Sequence, residues 1–140
     1  MKNLLLFTLI AVLLSFSNCS KDDDENDRFE LLTRPTWASD SLMVNGIDGS
    51  GPGMPLEKFK GNAKFNKDGT GTFGIYKGTW RFPDKTRTTL VLVTDSFPLP
   101  LTTNIVELST SSLKITTQVP DLKGVMGGGL LNIRMTFKAK

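Results

Sequence analysis

Histidine is absent from this 140-residue chain, and cysteine occurs once, at Cys19. A serine or cysteine nucleophile is normally activated by a neighbouring histidine, and histidine is a common zinc ligand. The composition therefore excludes Ser-His, Cys-His and His-ligated zinc chemistry. No catalytic residue, metal ligand or cofactor is predicted, and the chain is expected not to be an enzyme.

The carboxylates leave one other route to catalysis, a general acid and base acting as a pair, as in glycosidases. Such a pair would need two carboxyl groups roughly 5–10 Å apart in one cleft. The isolated carboxylates are Asp40, Glu57, Asp95 and Glu107. No spacing in the sequence brings two of them together. The sequence therefore does not predict this chemistry.

An apolar run long enough to cross a membrane is also lacking at the start of the chain. Leu4–Leu14 is interrupted only by Thr8 and follows the basic residue Lys2. About a dozen residues is short of the roughly 20 that a membrane-spanning helix needs. A short basic start followed by such a run is typical of a signal peptide. Residues 1–18 are therefore predicted to be a signal peptide.

The only cysteine follows this segment directly, after Ser15–Asn18. The arrangement resembles a bacterial lipoprotein signal, in which the cysteine becomes the lipidated first residue of the mature chain. The resemblance implies lipidation at Cys19. Two or more acyl chains would hold the protein at the membrane, since one chain alone binds only marginally.

An acidic segment, residues 19–28, follows the expected anchor and is predicted to be a solvated tether. Its sequence SKDDDE, residues 20–25, resembles the export signal of surface-exposed lipoproteins in some Gram-negative bacteria. This resemblance implies a lipid-anchored protein of the outer membrane, exposed at the cell surface. The periplasmic face of the membrane is the alternative.

The clearest hairpin in the chain lies in residues 61–82. A two-residue Asp68-Gly69 turn would mix polar and apolar residues on both faces, which a half-buried sheet resists. A three-residue loop, residues 67–69, instead pairs Phe65 with Gly71 and Ala63 with Phe73. We therefore predict the three-residue loop, with Gly69 at positive φ. In this register Ile75 continues the apolar face, and Tyr76–Gly78 is expected to form a tight reversal or a bulge.

The remaining segments predict an all-β domain over residues 29–140. About eight short strands are separated by turns every 8–12 residues, and no segment is long enough for a crossover helix. The expectation is an eight-stranded antiparallel up-and-down barrel, which leaves no exposed edge. Asp27–Thr33 is predicted to form a short helix that Pro35 ends. The Gly/Pro-rich residues 45–55 are expected to be a disordered lip or a ligand-gating lid.

The distribution of the basic residues argues against a nucleic-acid partner. Residues 31–140 contain fourteen basic and eight acidic residues, a net charge of +6. The basic residues are spread along the expected strands and form no stripe interleaved with aromatics. The domain is expected to be a monomer.

Several short motifs resemble the small bacterial lipocalin-like lipoproteins. They lie at the domain entrance, in the hairpin, and in three later strands: Leu32–Trp37, Phe65–Thr70, Gly78–Trp80, Ile105–Leu108 and Leu113–Ile115. The resemblance covers roughly residues 30–138. It implies an up-and-down barrel and, at most, ligand binding.

The leading functional hypothesis is non-catalytic binding of a small hydrophobic ligand inside the barrel. Six apolar residues are predicted to line the interior: Phe73, Ile75, Trp80, Phe82, Ile133 and Met135. The alternative interpretation of each residue is that it packs in the hydrophobic core and contacts no ligand. The alternative function is a surface module that contacts a glycan or partner protein through its loops, with Phe97 as the best exposed aromatic candidate.

Overall fold

The computed structural model describes residues 21–95 and 99–140, with the side chains of residues 21–26 left out of the description. The elements in chain order are α1 (Lys21–Thr33), β1 (Trp37–Val44), β2 (Ile47–Asp48), a short 3₁₀ helix (Glu57–Phe59), β3 (Asn62–Phe65), β4 (Thr70–Phe73), β5 (Tyr76–Arg81), β6 (Thr89–Thr94), β7 (Leu101–Leu108), β8 (Ser112–Pro120) and β9 (Leu130–Ala139).

Eight of the strands form a closed antiparallel barrel. Each strand from β3 to β8 pairs with the next strand along the chain, and β1 pairs with both β3 and β9. The two-residue strand β2 is added to the end of β1. The predicted all-β, eight-stranded antiparallel up-and-down barrel with a short N-terminal helix is confirmed.

The β3–β4 hairpin has the predicted register. Ala63 pairs with Phe73 and Phe65 pairs with Gly71. The Gly69 amide donates to the backbone carbonyl of Asn66 over 3.0 Å, and Gly69 has φ +84°. The three-residue loop is therefore confirmed, because it is the register that keeps the apolar residues on one face of the sheet.

The next reversal lies earlier than the sequence indicates. Tyr76–Gly78 was expected to turn or bulge, but Tyr76 already pairs with Phe73 across a two-residue loop, Gly74-Ile75. Gly74 has φ +62° and Ile75 does not have a positive φ, the pattern of a type II′ hairpin turn. Ile75 therefore leaves the strand and is 69% exposed. Its predicted interior position is wrong.

Alternating apolar residues fill the barrel. In β9 the inward residues Leu131, Ile133, Met135 and Phe137 are all buried, whereas Asn132 and Arg134 between them are exposed. In β6 both Leu92 and Val91 are buried, but Val93 is 42% exposed. Both faces of β6 are therefore buried over only part of the strand.

Helix α1 covers one end of the barrel. It ends at Thr33, as Pro35 predicts, but it begins at Lys21 rather than at Asp27, because the residues before Asp27 continue the helix. Leu32 is fully buried, and its carbonyl accepts a 2.9 Å hydrogen bond from the Trp37 indole. Lys64 Nζ donates to the carbonyls of Thr33, Arg34 and Pro35 at 2.8–3.0 Å, which satisfies the C-terminal end of the helix.

The strand pairing separates two sets of connections. The helix end of the barrel carries α1, the β3–β4 turn, the β5–β6 loop and the β7–β8 turn. The loop end carries the β1–β2 turn, residues 49–61, the Gly74-Ile75 turn, the β6–β7 loop and the β8–β9 loop. Within the described ranges, no helix is long and apolar enough to cross a membrane.

The Gly/Pro segment at the loop end is folded. It contains β2, the Gly49 amide donates to the Leu42 carbonyl over 2.7 Å, and Leu56 just beyond it is buried. A Cβ on Gly49 would overlap a Val44 methyl, so the segment packs closely on β1. The disordered lip is therefore wrong, and the gating lid stays a prediction.

Candidate ligand-binding cleft

A cleft of about 570 Å³ opens at the helix end of the barrel. Its walls come from α1, the β3–β4 turn, the end of β5 and the β5–β6 loop. The lining residues are Phe29, Lys67, Asp68, Gly69, Trp80, Arg81, Phe82, Pro83, Asp84, Lys85 and Arg87. The cleft therefore depends on four elements that are separate in sequence.

Three aromatic rings form the apolar wall. The ring centroids of Phe29 and Trp80 are 5.7 Å apart, and those of Trp80 and Phe82 are 5.4 Å apart in an edge-to-face arrangement. Trp80 is 5% exposed, whereas Phe29 and Phe82 are half-buried. The rings of Phe29 and Phe82 therefore keep part of their surface accessible.

Trp80 reaches the wall because inward positions of β5 alternate and Trp80 pairs with buried Leu92. Its indole N–H donates to the Asn66 carbonyl over 2.9 Å, which gives the buried polar atom a partner. Phe82 follows directly after β5. These two residues were predicted to line the interior, and the structure places both on the cleft.

The β5–β6 loop is held together by Asp84. Its carboxylate accepts hydrogen bonds from the Thr86 hydroxyl and from the amides of Thr88 and Thr89. The Thr86 hydroxyl is the largest cause that lowers the Asp84 pKa, and the amides of Thr88 and Thr89 act in the same direction. The loop that presents Lys85 and Arg87 is therefore fixed by its own acidic residue.

Arg87 is the residue of the cleft that sequence reasoning missed. Its φ is +52°, a backbone conformation uncommon outside glycine and often found at functional sites. Its guanidinium carbon lies 5.5 Å from the Phe29 centroid and 5.7 Å from the Phe82 centroid, within cation–π range. The Arg87 carbonyl accepts a 2.9 Å hydrogen bond from Arg28 Nε. No local motif indicates this arrangement, because α1 and the β5–β6 loop lie far apart in sequence.

The other residues predicted to line the interior lie elsewhere. Phe73 is buried and packs on Phe65, with ring centroids 5.3 Å apart. Met135 is buried in the same core, and Ile75 lies at the surface. Ile133 is 8% exposed and borders a different groove.

This second groove has a volume of about 550 Å³ and lies along β7, β8 and β9. Most of its lining is polar: Met43, Gly46, Thr102, Asn104, Thr116, Thr117, Gln118, Asn132, Ile133 and Arg134. The Gln118 side-chain amide donates to Asn132 Oδ1 over 2.7 Å, and the Asn132 backbone N–H donates to Asn45 Oδ1 over 2.8 Å. Several of its polar groups are therefore already paired.

The isolated carboxylates are spread over the barrel. Asp40 forms an ion pair with Lys138 at 2.8 Å, Glu107 pairs with Lys114 at 3.0 Å, and the Glu57 carboxylate accepts from the Gly53 amide. None of the carboxylates in the described parts of the chain is buried. Within the same residues no cluster of three or more acidic or cysteine side chains could hold a metal ion. The absence of catalysis stays a prediction.

No protein-family model matches the sequence, and no curated protein matches it significantly.

Proposed function

We propose that the protein is a non-catalytic, lipid-anchored lipoprotein of the cell envelope that binds a small apolar ligand. The observation that carries the binding proposal is the three-ring wall of the cleft at the helix end. Ligand pockets in proteins are concave, mostly apolar and typically about 300–1,000 Å³ in volume. The cleft, at about 570 Å³, lies in this range.

The cleft is a better candidate than the barrel interior. An eight-stranded barrel is just wide enough for side chains to fill it or to enclose one small ligand. Here Phe65 packs on Phe73 at 5.3 Å and on Trp80 at 5.7 Å, and these rings belong to one continuous buried cluster. The interior aromatics therefore contact each other, while Phe29 and Phe82 present ring surface at the barrel end.

The location is proposed from the sequence. Cys19 and the apolar run before it lie outside the described residues, and the lipoprotein pattern supports an outer-membrane anchor with the domain at the cell surface. The short motifs from Leu32 to Ile115 support membership of the lipocalin-like lipoproteins, and the barrel topology is compatible with that family. The partners proposed are the membrane and the small ligand.

Lipid extraction and native mass spectrometry of the purified protein would test binding. We expect a small molecule that co-purifies with the wild type and is depleted in Phe82→Ala. The matched control is Phe59→Ala, which truncates a half-buried ring that contacts Tyr76 at the loop end. An equal yield of the molecule from Phe82→Ala and Phe59→Ala, or no molecule from any of the three, would contradict the proposal.

The distribution of exposed apolar side chains favours a second function, the surface interaction module. Among the described residues eight large apolar side chains are exposed, and six of them lie at the loop end: Ile47, Ile75, Leu99, Leu122, Val125 and Leu130. Phe97, the aromatic candidate for such contacts, lies outside the described residues. Binding of the wild type to a glycan array, lost when Leu122 and Val125 are both changed to serine, would support this function.

A further inference from the structure

We infer that the cleft at the helix end binds an organic anion, whose apolar body contacts the ring wall and whose acidic group is bound by the Arg81 and Lys85 side chains beside it. This inference rests on the proposed binding function and adds the charge of the ligand. The acidic group can be a carboxylate, a sulfonate or a phosphate, since all of them accept the same charge-assisted hydrogen bonds.

Basic side chains outnumber acidic side chains in the lining of the cleft. Four basic side chains and two acidic ones border it: Lys67, Arg81, Lys85 and Arg87, against Asp68 and Asp84. The cleft therefore has a net positive lining.

The two acidic side chains are already engaged by their own turns. The Asp68 carboxylate accepts hydrogen bonds from the Thr70 amide at 2.9 Å and the Thr70 hydroxyl at 2.7 Å. The Asp84 carboxylate accepts from Thr86, Thr88 and Thr89. Both Thr70 groups donate to Oδ1 of Asp68, and both carboxylate oxygens of Asp84 accept from its loop, so part of their hydrogen-bonding capacity is directed into the loops.

The basic side chains differ in how far they are engaged. Lys67 forms an ion pair with Glu30 at 2.6 Å, and the Arg87 guanidinium packs against the rings of Phe29 and Phe82. The side chains of Arg81 and Lys85 form no hydrogen bond or ion pair with residues 27–95 or 99–140, the ranges whose side chains the structure describes. These two cations are therefore available to a ligand.

The apolar and the charged parts of the site lie side by side. Arg87 packs against Phe29 and Phe82, and Arg81 and Lys85 border the same cleft. A guanidinium binds an acidic group with two parallel hydrogen bonds, so an anion bound by Arg81 would have its apolar body near these rings. This juxtaposition favours an amphipathic anion over a fully apolar ligand.

Two small probes of the same shape separate charge from apolar contact. The full chain would be reconstituted in phosphatidylcholine nanodiscs and titrated by calorimetry with 2-naphthalenesulfonate and with 2-naphthol, against empty nanodiscs. We expect the sulfonate to bind more tightly than the naphthol. In the double variant Arg81→Gln/Lys85→Gln the Kd of the sulfonate should rise by roughly fivefold, as expected for the loss of two exposed ion pairs, while the Kd of the naphthol stays the same.

The matched control is Lys77→Gln/Lys123→Gln, which removes the same net charge toward the loop end of the barrel and should leave both affinities unchanged. Equal affinity for the two probes, or a sulfonate affinity that the Arg81/Lys85 variant does not change, would overturn the inference and leave the proposed apolar site standing. If neither probe binds, or if Phe82→Ala leaves the binding of both unchanged, the proposed function itself fails.

Discussion

The indole N–H of Trp80 donates a hydrogen bond to the backbone carbonyl of Asn66 over 2.9 Å. The backbone amide of Trp80 also donates to the Gly69 carbonyl over 2.7 Å. Asn66 and Gly69 are the ends of the β3–β4 turn, so two hydrogen bonds hold this turn against Trp80, the central residue of the cleft wall. A change in the turn is therefore expected to alter both the stability of the barrel and the shape of the cleft.

Replacing Gly69 by alanine should destabilise the protein by about 1–2 kcal/mol, because Gly69 has φ +84° and a Cβ is strained in that conformation. Urea unfolding would measure the loss. The control is Gly51→Ala, since Gly51 does not have a positive φ and a Cβ there would lie 3.6 Å from its nearest neighbour. We expect a change within about 0.5 kcal/mol for the control. Equal effects of the two substitutions would contradict the assigned turn.

Phe73 and Ile75, both expected inside the barrel, should respond differently to truncation. Phe73 is 4% exposed and Ile75 is 69% exposed. Phe73→Ala should therefore cost about 3–5 kcal/mol of unfolding free energy, because it leaves a cavity in the core. Ile75→Ala should change stability by less than about 0.5 kcal/mol. Chemical denaturation would measure both, and a loss above about 2 kcal/mol for Ile75→Ala would contradict its surface position.

Asp84→Asn should destabilise the protein at neutral pH and much less in acid. Hydrogen bonds lower the pKa of Asp84 in the folded state, and the bond from the Thr86 hydroxyl has the largest effect. A carboxyl whose folded pKa lies below its unfolded value of about 3.9 contributes stability above that value and loses the contribution as pH falls through the folded pKa. The difference in stability between the wild type and Asp84→Asn should therefore become smaller below about pH 4.

Thermal unfolding measured from pH 7 down to pH 2 would show this narrowing. Asp27→Asn serves as the control, because it removes one exposed carboxylate from α1 rather than from a hydrogen-bonded loop. If the wild type were more stable than Asp84→Asn by the same amount at every pH from 7 to 2, the proposed role of the carboxylate would be ruled out.

Cys19→Ala should move the protein out of the outer-membrane fraction, because the substituted chain lacks the thiol that would carry the acyl chains. Membrane fractionation with an immunoblot would measure the shift. Ser20→Ala, one residue further along, is the control and should leave the distribution unchanged. Persistence of Cys19→Ala in the outer membrane would refute the lipid anchor.

Much of the fold follows from local patterns in the sequence. The apolar residues of β9 alternate from Leu131 to Phe137, and this period of two is sufficient to predict both the strand and its inward face. The Asn66–Gly69 turn sets the register of β3 and β4, because only one loop length keeps the apolar residues together. Ile75 was misplaced because Gly74 interrupts the alternation at a turn whose position the sequence left open.

Composition and local periodicity, which act through neighbouring residues, were enough by themselves to exclude histidine chemistry and to predict strands, turns and an antiparallel barrel. The cleft was decided only by the tertiary structure. Phe29, Trp80 and Arg87 come together because the β1–β9 pairing closes the barrel and α1 covers its end. Contacts between such distant segments depend on how the whole chain closes on itself, and no local spacing records that.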